Sequence, residues 1–274
     1  MIPENFIIGW QKFAPWQDYS QVEQDLILSR VLAEIFSDNI LKKTLLFRGG
    51  TALNKLYMKS PVRYSEDLDF VMIKKGPIGP VYDSLREKFD KLFEKTDTGR
   101  GESMATMTFY YKCEFPPPVE NKVKLEINYL EDFIVADKVF KKYTVVNPWF
   151  SGNVNIPTYT INELLATKLR ALFQRNKGRD LFDLWKSVKD GLVEEEKVVN
   201  YFKIYTEKLD IPITKARFEK NLSGKYKDKD FKEDIKPLLA KDVDYDIEEA
   251  FKVIHAAFIS KLKGSSYSGD DNIY

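Results

Sequence analysis

The spacing of apolar residues changes character at about Pro157, and this limits the folds open to the chain more than any other sequence feature. Before that point both periods occur. Val22, Leu26, Ile27, Val31 and Ile35 fall on one face of a helix over 20–36, with Ser20 and Glu23 at the spacing of a capping box. Leu45-Leu46-Phe47 is a short apolar strand stopped by Gly49-Gly50, and the spacing predicts a helix over 51–58. Leu68, Phe70 and Met72 alternate with Asp67, Asp69 and Val71, as in a strand with one apolar face. A further helix is expected over 81–93. The segments 104–115 and 122–130, rich in β-branched and aromatic residues, read as strands joined through Pro116-Pro117-Pro118. After Pro157 only helical spacing persists, over 161–175, 180–188, 194–208 and 247–262. The expected fold is α+β: residues 1–157 form a domain with a mixed sheet, and residues 158–274 a helical C-terminal domain ending in a loose polar tail over 264–274.

Scarcity of certain side chains excludes several chemistries. The chain has one histidine and one cysteine in 274 residues, too few for a Ser-His-Asp triad, a Cys/His zinc cluster or a Cys–His dyad. His255 falls on the apolar-periodic segment 247–262 and reads as a helix-face residue without a catalytic role. Polar chemistry must then come from carboxylates, lysines, hydroxyls or a bound metal. Carboxylate oxygens are hard ligands, so the metal expected is Mg²⁺ or Mn²⁺. A lone Cys113 cannot form an internal disulfide, no apolar run reaches the roughly 20 residues that span a bilayer, and the N-terminus lacks a secretion pattern; the expectation is a cytoplasmic protein with no membrane association. With 43 Lys+Arg against 42 Asp+Glu, any polyanionic partner must be held by a local patch.

The informative stretch runs Phe47-Arg48-Gly49-Gly50-Thr51-Ala52-Leu53, then Arg63-Tyr64-Ser65-Glu66-Asp67-Leu68-Asp69-Phe70. A strand that enters a helix through two glycines lets backbone N–H groups approach a phosphate, and the helix dipole favours its charge. Asp67 and Asp69, two apart on a strand, project from one face. Two converging carboxylates repel unless a cation lies between them. Glu126, the polar interruption of the strand Lys124-Leu125-Glu126-Ile127-Asn128, is the candidate third acid; Glu131 and Asp132 lie where that strand is ending.

This arrangement resembles the DNA polymerase β-like nucleotidyltransferases and, more closely, the AbiEii/AbiGii-type nucleotidyltransferase toxins of type IV toxin–antitoxin systems. The second element of the resemblance is Leu165-Ala166-Thr167-Lys168-Leu169-Arg170-Ala171, followed by Arg175-Asn176-Lys177-Gly178-Arg179-Asp180-Leu181-Phe182-Asp183-Leu184. It implies a polymerase β-like core followed by a helical domain. It also implies Mg²⁺ or Mn²⁺ on Asp67, Asp69 and Glu126, with an NTP as substrate. Gly49, Gly50, Thr51 and Ser65 would hold its terminal phosphates. Lys168 would contact the triphosphate, with Arg179, Asp180 and Asp183 closing the site from the helical side. The reaction implied is attack of an acceptor hydroxyl on the α-phosphorus with release of pyrophosphate. The acceptor implied is the 3′ end of tRNA or another RNA, in a phage-defence system with a cognate antitoxin.

From spacing alone, the stretch from Lys168 to Arg179 holds five cations and no acid, and Arg170, Arg175 and Lys177 are candidates for RNA contact. Asp180 and Asp183 share a helix face and could orient those cations. A small-molecule or protein acceptor, and a non-catalytic RNA- or protein-binding member, are the rival readings. Asp242, Asp244 and Asp246 mimic a calcium loop, but Ile247 and Val253 occupy its glycine and glutamate positions; Asp246 with Glu249 reads as a capping box instead. The aromatic N-terminus, Phe6, Trp10, Phe13 and Trp16, could stack bases, although such a run more often packs a core.

Overall fold

The computed structural model describes residues 2–274 other than Pro117, Asp132, Leu209, Ile211, Asp270, Asp271 and Tyr274. The chain divides into two units, Met1–Tyr159 and Thr160–Tyr274.

The described residues of the first unit open with three helices, α1 (Glu4–Trp10), α2 (Tyr19–Ser37) and α3 (Asn39–Thr44), before strand β1 (Leu45–Arg48). Helix α4 (Gly49–Leu56), strand β2 (Asp67–Met72) and helix α5 (Gly79–Phe89) follow. Strands β3 (Lys95–Arg100), β4 (Met104–Lys112), β5 (Glu120–Asn128), β6 (Val139–Asn147) and β7 (Phe150–Thr158) complete the unit. They form a mixed seven-stranded sheet in the order β3-β4-β5-β2-β1-β7-β6. The pairs β2–β5 and β1–β7 are parallel and the remaining neighbours antiparallel. The acid-bearing strand β2 therefore lies in the sheet interior, paired on both edges.

Helix α2 is clamped to the sheet by aromatic rings. Phe36 meets Phe47 of β1 and Phe70 of β2 at centroid distances of 6.4 and 6.0 Å, and the two strand rings are 5.4 Å apart. All three are buried, and burial of such a side chain contributes roughly 1.5–3 kcal/mol. The expected Ser20–Glu23 box does not cap this helix. Asp18 does, accepting from Ser20 N at 2.8 Å. Glu23 instead turns inward, where its carboxylate accepts from Glu114 N and Phe115 N at 2.9 and 3.2 Å.

The second unit contains, among its described residues, α6 (Ile161–Gln174), α7 (Gly178–Lys189), α8 (Glu195–Lys208), α9 (Lys215–Lys227), α10 (Lys229–Glu233) and α11 (Ile247–Ala257), and no strand. Asp246 caps α11 by accepting from Glu248 N and Glu249 N. The helix expected over 247–262 ends at Ala257 and gives way to a 3₁₀ turn over Ile259–Lys261. The tail is less loose than its composition implies. Buried Glu219 accepts from Tyr267 N at 2.6 Å and lies 2.8 Å from His255 Nε2, which gives the single histidine a structural partner. No helix of the described residues is long and apolar enough to cross a membrane.

Candidate active site

The site begins where β1 turns into α4. Leu45, Leu46 and Phe47 are buried, which leaves Arg48 extended at the sheet margin and drives the chain into a sharp turn. Gly49 takes that turn with φ of 81°, in the left-handed region that disfavours other residues. A Cβ at Gly49 would also lie 2.0 Å from Asp69 Oδ2. Glycine is thus demanded twice, by the backbone and by the close approach of the carboxylate. Because α4 starts at Gly49, the Gly49-Gly50-Thr51 N–H groups belong to its first turn and have no partner within the helix. Thr51 is buried, its hydroxyl 2.8 Å from Ser65 Oγ and bonded to the Asp67 carbonyl. That link ties the helix start to the head of β2.

The sheet register collects the acids. Arg48 of β1, Asp69 of β2 and Glu126 of β5 stand opposite one another in a row, and Asp67 stands opposite Lys124 two residues away. With side chains alternating along each strand, these five share a face, and Leu68 and Phe70 point into the core. Burial, then the charges of Asp69, Glu66 and Glu126, push the Asp67 carboxyl up to about 6, against a lowering by Lys124. Lys124 is ion-paired with Glu126, and this bond, followed by attraction to Asp67 and Asp69, raises its own pKa. The lysine thus serves as counter-ion to the acid cluster.

Among the described residues no three acid, His or Cys side chains are already drawn into a ready metal cage. The donor set still fits a divalent ion. Hard oxygen donors on adjacent strands converge on one face, where burial and then their mutual repulsion raise the Asp67 carboxyl, and the cation now answering them is Lys124. Of the alternative third acids, Glu131 is bound to Arg48 Nη1 at 2.7 Å, and Asp132 lies outside the described residues.

The second unit gathers the remaining expected residues on α6 and α7. Lys168 Nζ is 2.9 Å from both Asp180 Oδ1 and Asp183 Oδ2, and all three residues are buried. Arg175 grips Asp180 with two bonds, Nε to Oδ2 at 2.6 Å and Nη2 to Oδ1 at 2.8 Å. Burial alone would raise the Asp180 carboxyl, but Lys168 and Arg175 outweigh it and hold that group well below the usual carboxylate range. The cationic run is less bare than its spacing implies. Lys177 and Arg179 lie 3.4 and 3.8 Å from Asp234, and Arg170 lies over the Tyr205 ring at 5.0 Å. The acid that faces two of these cations sits more than fifty residues downstream, where no local pattern could reveal it.

Comparison with known proteins decides the assignment. The family described as "Nucleotidyl transferase AbiEii toxin, Type IV TA system" matches residues 30–253, most of the chain. The chain belongs to the AbiEii family. It is accordingly a nucleotidyltransferase of the toxin–antitoxin class. Among solved structures this AbiEii chain is similar to MenT4, a nucleotidyltransferase toxin from Mycobacterium tuberculosis H37Rv. The two share 17% identity over 94% of this chain and 88% of that one, with a TM-score of 0.64. It is also similar to JHP933 from Helicobacter pylori, at 20% identity over 88% and 90% of the two chains and a TM-score of 0.52. These likenesses concern the α+β fold. No curated protein matches. Two residues of the candidate site escaped sequence reasoning: Arg48 and Lys124 carry no signal of their own, and only the pairing of β1, β2 and β5 brings them to the acids.

Proposed function

We propose that this AbiEii protein is a cytoplasmic, Mg²⁺- or Mn²⁺-dependent enzyme that transfers a nucleoside monophosphate from an NTP to the 3′ hydroxyl of tRNA, as a phage-defence toxin held in check by a cognate antitoxin. The observation that carries the chemistry is the placing of Asp67, Asp69 and Glu126 on one sheet face beside the Gly49-Gly50 helix start. Asp67, Asp69 and Glu126 would hold the ion, which when bound supplies charge stabilisation to the phosphate oxygens. Gly49 and Gly50 offer N–H groups, and Thr51 and Ser65 hydroxyls, to the terminal phosphates. Glu126, released from Lys124, accepts the proton of the attacking hydroxyl.

In the helical unit Lys168 supplies a cation to the triphosphate. Asp180 and Asp183 hold its ammonium, and Arg179 stands in the same element. RNA contact is assigned to Arg170, Arg175 and Lys177. The half-exposed Arg175 and Lys177 reach solvent while tied to acids at one side. Three carboxylates converging on one sheet face, Asp67, Asp69 and Glu126, offer nothing to a plain RNA binder, which favours catalysis over a purely binding role.

The test is incubation with each labelled NTP, total RNA and Mg²⁺. One NTP should label an RNA band of tRNA length, and Asp67→Asn or Asp69→Asn should abolish labelling by orders of magnitude with the circular dichroism unchanged. Near-normal labelling by either variant would sink the mechanism, and labelling of a small hydroxylated compound instead of RNA would replace the acceptor.

A further inference from the structure

A cavity of about 620 Å³ in the first unit shares Thr51 and Ser65 with the candidate site but is not lined by Asp67, Asp69 or Glu126. Its volume is that of a small-ligand pocket. Four aromatic rings, Trp10, Phe13, Trp16 and Tyr143, line it. Phe13 is 46% exposed, and the Lys12 ammonium lies 4.9 Å above its ring. Four cations face one carboxylate in the lining, and that carboxylate, Asp25, is already paired with Lys55 at 2.9 Å. The cationic character open to a ligand therefore rests on Lys12 and Lys59, both exposed. Two lining residues keep a buried polar atom without a hydrogen-bond partner, Trp16 Nε1 and Asn54 Oδ1. Aromatic rings and exposed cations together suit a planar heterocycle that carries phosphate.

The reaction geometry excludes the two nucleotides already in play. If Thr51 and Ser65 hold the terminal phosphates, the transferred base is attached at the opposite end of the triphosphate, at the α-phosphorus. In-line displacement places the acceptor on the far side of that phosphorus from the leaving pyrophosphate. A pocket beyond the terminal phosphates is reached by neither. We propose that this cavity is an accessory nucleotide site, which stacks a nucleobase on Phe13 and the tryptophan wall and turns its phosphate toward Lys12, Lys59 and the Thr51–Ser65 hydroxyls. The proposal rests on the assignment of those two hydroxyls to the terminal phosphates. Because they are shared, the occupant and the substrate NTP compete, and each lowers the other's affinity by the same factor. The occupant is a free nucleotide or one unit of an RNA strand.

Tryptophan fluorescence of the full chain reads the site, since Trp10 and Trp16 line it. The probes are the four nucleoside monophosphates and a six-residue oligouridylate, each titrated in EDTA. A saturable change is expected for at least one probe. It should persist in Asp67→Asn, weaken at least tenfold in Lys59→Glu and in Phe13→Ser, and be reversed by a non-hydrolysable NTP added with Mg²⁺ in excess over the EDTA. Response to a monophosphate identifies a free nucleotide as occupant, and response to the oligomer alone identifies RNA. No saturable response to any probe, or a response that both substitutions leave unchanged, overturns the site. Binding that the NTP analogue fails to displace retains the cavity but removes Thr51 and Ser65 from the terminal phosphates. Failure of the catalytic reading shows elsewhere, as labelling activity that survives in Asp67→Asn.

Discussion

Asp180 illustrates how a single side chain can be held charged inside a protein. Its carboxylate accepts from Lys168 and, twice, from Arg175, so the cost of burying it is outweighed and its pKa falls below the unfolded value. The sign of the linkage follows. The contribution to stability is complete above the unfolded carboxyl value of about 3.9 and is lost as pH falls through the lower folded value. Denaturant unfolding at pH 5 should therefore show the cluster intact, with stability declining only below about pH 4. Lys168→Ala leaves Asp183 buried without this partner and should destabilise the fold by about 3–5 kcal/mol at pH 7. An unchanged denaturant midpoint would show that the cluster is not buried as described. At this scale local spacing shows Asp67 with Asp69 on one strand face and Asp180 with Asp183 on one helix face, whereas Lys168 joins the second pair from a separate helix. Arg48, Lys124 and Asp234 were not legible, because strand register or a distant helix delivers them.

Elements were legible where their period was strong. The spacing located α2, α4, β2, β4, β5 and the helices α6, α7, α8 and α11, with ends displaced by a few residues. It missed β3, whose sequence Lys-Thr-Asp-Thr-Gly-Arg is polar throughout; this edge strand is exposed on nearly every residue and exists through its pairing with β4. The β6–β7 hairpin was missed for a related reason, since its outer half carries Lys142, Asn153 and Asn155 at exposed positions instead of an apolar alternation. The start of α7 has a requirement that only packing reveals. A Cβ at Gly178 would lie 2.2 Å from the Phe231 carbonyl oxygen, a backbone atom with no room to yield. Gly178→Ala should push α7 from α10 and cost about 1–3 kcal/mol in thermal or denaturant unfolding, despite alanine's better helix propensity. A stabilised variant would contradict this packing.

For the molecule as a whole, balanced charge limits how RNA can be held. With 43 cations against 42 acids, a long-range attractive field is absent, so binding must rely on a few phosphate contacts. The logarithm of tRNA affinity should then fall against the logarithm of salt with a slope of about −0.7 to −0.9 per contact, and Lys177→Ala should reduce that slope by about one contact. A slope unaffected by the substitution removes Lys177 from the interface. The loss of strand periodicity near Pro157 coincides with the end of β7 at Thr158. The N-terminal aromatic run was set down as core packing, and for Trp10 and Trp16 burial agrees, although the rings also wall a cavity that no local pattern announces.

Lys124 has a consequence for how the protein is stored. An acid cluster that depended on a divalent ion for neutrality would make the fold itself hostage to ion supply. Here an ammonium two residues from Glu126 stands in for part of that charge, so the face is partly offset by the chain's own lysine. A chelator should stop turnover yet leave the melting midpoint unmoved, and Lys124→Met should make melting chelator-sensitive. A wild-type midpoint that drops on chelation would refute it. On the proposed mechanism, a protein of this design stays folded without its ion and turns over only with the ion bound.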